Sequence, residues 1–373
     1  MDVYLCAAVF LAIPFLFRLV IVERLIAKNS VAKLKAGSSI TFAIGAGMMT
    51  LLVGLRGATT TDTILYRRYF ELNSYPSDME SGFIWLSSQM FNWGFSYNNF
   101  QFLIATATLG MIFFVVYQMS SNYSFNLLAI YFLAIPLCAM NTFRQYIAVA
   151  LFTLVAYAAC EKKGIVTKAF VLASIAVGSF IHLTILIAGA FFIIIYLIME
   201  RFRYSGKTLF LMGIMILIWS VYAYSTDVAY DLMSWMTETE GLEKYSGFLV
   251  AKDYMVEKSK PMFVLSILYA LAIIVLSKIV TVKEALRAKD KLLICSIICL
   301  GILLGTQASW VGDRIGQYFM PLVSIGVTNF IDFRKLDKYN FYLILVVAGI
   351  LYLSFQRVYV GNFGNILPYI GVR

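Results

Sequence analysis

Apolar residues run in blocks of 16 to 20 along most of the chain, separated by short polar stretches. Such blocks predict helices that cross a lipid bilayer, because a span needs about 20 mostly apolar residues and fewer where neighbours cover a polar end. The pattern predicts spans at 3–22, 38–54, 100–118, 124–140, 144–160, 166–181, 183–199, 207–225, 261–280, 291–307, 315–331 and 340–356. Runs four and five are parted only by Asn141, Thr142 and Phe143, and runs six and seven by a turn at Ile181–Leu183. These closely paired runs read as tight hairpins or re-entrant segments. The expected fold is an all-α polytopic membrane protein of about twelve transmembrane helices. It forms one integral membrane domain over 1–373, with longer outward-facing segments at 56–99 and 226–260.

Composition sharpens this picture. Hydrophobic residues make up 61% of the 373 and charged residues 13%, whereas soluble domains run near half apolar and a quarter charged. A soluble core has no room for this much apolar surface, so the solvent for most of the chain is lipid. Cys6, Cys138, Cys160, Cys295 and Cys299 all lie in apolar runs without metal-ligand spacing, and read as small buried hydrophobes. No metal cluster and no glycine-rich nucleotide loop is visible, so neither metal nor cofactor is expected. The first run lacks a basic flank and a small-residue cleavage site, and reads as a retained span.

The net charge of +10 is unevenly placed. With twelve spans, the loops Arg18–Lys35, Lys162–Lys168, Arg201–Lys207, Lys278–Lys291 and Arg334–Lys338 fall on one side and hold 19 of the 30 basic residues, and that side, with the flanking Glu161, Glu200 and Asp332, carries 7 of the 20 acidic ones. The positive-inside rule puts that side in the cytoplasm and both ends of the sequence outside. The surplus is a topology signal and an attraction to anionic lipid, not a nucleic-acid footprint. The segment 56–99 is rich in aromatics and reads as lying partly along the interface.

Several costly polar residues then gather at outward ends of spans, where charge at membrane depth points to function. Arg56 closes span two in Gly54-Leu55-Arg56-Gly57, where a snorkelling anchor is the plain alternative. Asp62 opens the helix that follows, either capping it or acting in catalysis; Asp62, Tyr66 and Phe70 recur every four residues on one face. Arg144 sits between two apolar runs with almost no loop around it, which favours a cavity or a bound anion over a structural ion pair. Arginine's planar fork suits phosphate and keeps its charge in a dry site. His182 is the sole histidine; it is either a hydrogen-bonded core residue or a proton acceptor suited to neutral pH. Asp313 and Arg314 neutralise each other or, with Gln317 and Tyr318, carry a polar helix face into the bundle. Together these residues describe an outward anion site with a base, and an anion already in the membrane is a lipid diphosphate.

The stretches "GLRGATTTDTILYRRYF", "ESGF", "NTFRQYIAVAL", "FIHLT" and "DRIGQYF", in this order between Gly54 and Phe319, resemble EpsG-like, Wzy-type polysaccharide polymerases. The resemblance implies glycosyl transfer on the outer, periplasmic face of a bacterial inner membrane. The growing glycan on undecaprenyl diphosphate moves to the distal sugar of a new lipid-linked repeat unit, so donor, acceptor and bilayer are the partners. It leaves room for a flippase and a chain-length regulator of the same pathway. On that reading Arg144 and Arg314, assisted by Arg56, hold the diphosphate. His182 leads as base, with Asp62 second; Glu80 and Asp313 position groups, and Tyr66, Trp85 and Gln317 hold sugar. Rival readings are an O-antigen ligase-type single transfer, a transporter or flippase, and a scaffold. A flippase predicts duplicated halves and midplane polar residues, and neither pattern is found.

Overall fold

The computed structural model describes residues 3–17, 31–161, 164–226, 228, 259–280, 286–306, 309–332, 337–362, 365–367 and 369–371. Most of the expected outward segment 226–260 and of the basic loop 18–35 lies outside the described residues. Among the described residues there are sixteen helices and no strand. The chain groups into two compact units, Met1–Leu183 with Ser354–Arg373, and Thr184–Leu353. The protein is all-α.

The first unit begins with α1 (Val3–Phe17) and α2 (Val31–Gly54), then two short helices, α3 (Thr61–Leu72) and α4 (Ser81–Asn92). The long α5 (Tyr97–Met119) follows, then the bent pair α6 (Tyr123–Phe132) and α7 (Ile135–Asn141), then α8 (Phe143–Glu161) and α9 (Ile165–Ile181). The second unit holds α10 (Thr184–Arg201), α11 (Gly206–Ser225), α12 (Lys260–Val280), α13 (Ala288–Gly305), α14 (Ser309–Gln317) and α15 (Met320–Asn329). The last helix, α16 (Lys338–Tyr359), starts in the second unit and ends in the first.

Among the described residues six helices are long and apolar enough to cross a membrane: α5, α8, α10, α11, α12 and α16; the α6–α7 pair, bent by 45°, makes a seventh if it is one span. Val3–Ala12, Ser39–Gly54 and Ala169–Ile181 are apolar but shorter. Two of the twelve expected spans are broken, for local reasons. The run 124–140 bends at Ala134, whose backbone is left-handed (φ 61°) just ahead of Pro136, a conformation that costs a non-glycine residue about 1–2 kcal/mol. The run 315–331 breaks at Tyr318–Phe319, ahead of Pro321 at the start of α15, where the missing amide proton suits a first turn.

α3 and α4, of twelve residues each, are about 18 Å long and too short to cross. Their inner faces meet in an aromatic core of Phe70, Phe83, Tyr97, Phe100 and Phe143. Phe70 stacks on Phe100 with ring centroids 5.2 Å apart, and Tyr66 meets Phe143 edge-on at 4.9 Å. Each such pair adds about 0.5–1.5 kcal/mol beyond area burial. Ile64, Leu65, Leu72, Trp85 and Trp93 point away from this core and are exposed.

Candidate active site

The site is assembled on the aromatic core by two helix starts. α3 begins at Thr60, whose hydroxyl accepts from the Thr63 amide while the Thr63 hydroxyl accepts from the Thr60 amide, a reciprocal capping box. Thr60 is therefore the cap, and the expectation that Asp62 caps this helix is corrected. Asp62 stands in the first turn, where its charge complements the helix dipole. Its own amide donates to Asn141 Oδ1 at 3.1 Å, and the Thr61 hydroxyl donates to the same oxygen at 3.0 Å. The end of α7 thus fixes the start of α3.

α8 starts one residue later. Thr142 closes α7, its amide and hydroxyl both donating to the Cys138 carbonyl at 2.9 and 3.1 Å. Arg144 then falls in the first turn of a membrane-spanning helix, where the dipole is positive and a second positive charge calls for an anion. Glu80 answers it: Arg144 Nη1 donates to Glu80 Oε2 at 2.5 Å, with both side chains largely buried. The ion pair that the sequence reading placed behind a bound anion is therefore present. The guanidinium also lies over the Tyr66 and Phe83 rings, 5.7 and 5.8 Å from their centroids. The Tyr66 hydroxyl is a further hydrogen-bond partner, and the Asp62 charge acts on the same guanidinium. Arg144 Nε is buried without a hydrogen-bond partner.

Glu80 sits at the N-cap of α4 yet makes no side-chain cap bond there. Its second oxygen instead accepts from the Leu183 amide at 3.4 Å. Leu183 follows His182, which closes α9 with its amide on the Gly178 carbonyl at 2.8 Å and whose side chain is buried. The approach of α4 to this joint depends on Gly82, because a Cβ there would lie 2.6 Å from the Phe180 carbonyl oxygen. Gly82→Ala is expected to displace α4, cost about 1–3 kcal/mol and lower turnover. Thermal unfolding and product yield of the purified variant check this.

Arg56 lies elsewhere in the same unit and is enclosed, with 1% of its surface exposed. Burial lowers its pKa from the ordinary arginine value, with Tyr4 and Tyr369 working against the shift; a guanidinium stays charged regardless.

In the second unit, Gln317 Nε2 donates to Asp313 Oδ2 at 3.4 Å, both side chains being buried. Arg314 on the same helix is partly exposed, and the Tyr318 hydroxyl shares a 2.9 Å hydrogen bond with Thr184. The expected residues thus fall into two groups. Asp62, Tyr66, Glu80 and Arg144 meet in the first unit, with His182 at the joint that Glu80 touches. Asp313, Arg314 and Gln317 stand together in the second. Asn141 and the Leu183 amide were missed; their only sequence signal was the shortness of the joints they occupy.

The first group offers a cation at a helix start, a partly exposed carboxylate and the Tyr66 and Phe83 rings against the guanidinium. This arrangement suits binding of an anionic leaving group beside a base. Among the described residues no cluster of histidine, cysteine, aspartate or glutamate fits a metal ion. No curated protein and no solved structure matches this chain. A family model, that of the EpsG family, matches residues 39–370, spanning both residue groups, and the chain belongs to the EpsG family.

Proposed function

We propose that the protein polymerises glycan repeat units carried on undecaprenyl diphosphate, at the outer face of the bacterial inner membrane. Family membership supports membrane polysaccharide polymerisation in general terms. The observation that carries the finer reading is Arg144. It is a guanidinium at the start of a membrane-spanning helix, ringed by Glu80, Tyr66 and the Asp62 charge, with a buried Nε still able to donate.

In this reading Arg144 binds the donor diphosphate. The acceptor hydroxyl attacks the anomeric carbon of the growing glycan, and the bond from that carbon to the diphosphate oxygen breaks. The lipid diphosphate leaves with the electron pair, and its growing charge is stabilised by preorganised donors. The hydroxyl proton passes to Asp62, which is partly exposed and beside Arg144. In this reading Asp62 rather than His182 is the base, and His182 orders the joint that presents the Leu183 amide to Glu80.

The test is purified protein with a synthetic lipid-diphosphate-linked repeat unit and no nucleotide sugar, with products resolved by size. A ladder of lengths is expected. A single added unit would mark a one-step transferase, and no product from intact protein would overturn the assignment.

A further inference from the structure

Arg56 has the surroundings of a structural tie. Its Nη1 donates to the Tyr4 hydroxyl at 3.1 Å and to Met140 Sδ at 3.3 Å. Its Nη2 donates to the Thr59 hydroxyl at 3.2 Å and to the Asn365 carbonyl at 3.0 Å. All four acceptors are neutral, and the groups that enclose the fork come from α1, α7, the turn after α2 and a segment some three hundred residues along the chain.

That segment, the described residues of 365–371, is tied at several further points. The Tyr4 hydroxyl donates to the Ile366 carbonyl at 2.8 Å, and the Ile366 side chain is fully buried. The Gly57 amide donates to the Ile370 carbonyl at 2.7 Å, and Arg56 and Gly371 form an isolated antiparallel bridge. The approach is close at Gly57, where a Cβ would meet the Ile370 carbonyl oxygen at 3.2 Å and the segment would have to give by a few tenths of an ångström. From Gly57 the turn runs only three residues to Thr60, the cap of α3, and Asp62 follows with its amide on Asn141.

We infer that Arg56 and segment 365–371 form a latch that positions Asp62 through the Gly57–Thr60 turn, and that Arg56 does not touch the diphosphate. The inference rests on the proposed site only in naming what the latch positions. The contacts form an unbroken path from the segment to α3, all within one unit. A path of contacts becomes coupling only when disturbing one end changes the other, and that is what the experiment reads.

Amide hydrogen exchange resolved to single residues would be compared for the native protein, Arg56→Ala, Arg56→Lys, Ile366→Ala and a variant lacking residues 365–373. Exchange reports local opening independently of any reaction. The Gly57 and Asp62 amides are expected to lose protection together, by roughly tenfold or more, while those of α10 keep theirs as a folding control. Arg56→Lys is expected to behave as Arg56→Ala, because a lysine cannot bridge four acceptors with a planar fork. In the polymerisation assay, Arg56→Ala and the deletion should lower kcat alike, combine without further loss, and leave donor KM unchanged.

An Asp62 amide that stays protected while Gly57 opens would overturn the latch, whether or not any polymer is made. A raised donor KM in Arg56→Ala alone would return Arg56 to the diphosphate. Coupled exchange in a protein that makes no polymer would leave the latch standing and sink the proposed reaction.

Discussion

Arg144→Ala is expected to abolish polymer formation, by at least about a hundredfold, while the protein still folds and inserts. Removing one preorganised donor to a developing negative charge typically costs that much or more. Here the donor also stands in the first turn of α8, so the helix dipole and the guanidinium act on the same anion. Arg144→Lys should recover little of the loss. A lysine is a point charge without the fork that offers Nη1 to Glu80 and leaves Nε for a second oxygen. Loss of Arg144 leaves the Glu80 carboxylate with the Leu183 amide alone. The destabilisation should fall short of the roughly 3–5 kcal/mol seen when a fully buried pair is broken, because both side chains retain some exposure. Product ladders, together with thermal unfolding of the same preparation, check both halves. Native chain lengths from Arg144→Ala would remove this residue from the mechanism.

Asp62→Asn is expected to lower kcat by about 10²–10⁴, the range for losing a positioned general base, with little change in stability. The second half follows from the capping geometry. Thr60, not Asp62, closes the end of α3, and Asp62 anchors itself through its backbone amide, so an isosteric amide leaves the local fold intact. His182→Ala is the discriminating companion. If His182 is the base, its replacement gives the larger loss and Asp62→Asn retains near-native turnover. If Asp62 is the base, the order reverses. Single-turnover rates with a lipid-linked donor and acceptor separate the two, since they exclude effects on product release.

The spanning helices were legible because lipid leaves a coarse signature: apolar runs of about twenty residues read directly as α5, α11 or α12. The first residue group was legible at Arg144 for a related reason, since charge set between two apolar runs has nowhere cheap to go. What did not show were partners brought together only by the fold. Glu80 lies 64 positions from Arg144, and nothing local pairs them. Thr60 and Asp62 both fit the cap of α3 by residue type, and only the backbone geometry of Thr60 decides. The bend at Ala134 escaped because alanine is the strongest helix former, and Pro136 was the only mark nearby.

The Arg144–Glu80 pair carries one more consequence. A cation already matched to a carboxylate does not capture an arriving anion outright; it trades one for the other. In the proposed reaction the affinity for a lipid diphosphate would be the difference between two ion pairs, which would keep it moderate. When the spent carrier must depart, the displaced carboxylate is still tethered nearby at the start of α4, at a high effective concentration. Glu80 would in this way act as a resident competitor, helping to clear the by-product so that the next repeat unit finds the same arginine ready.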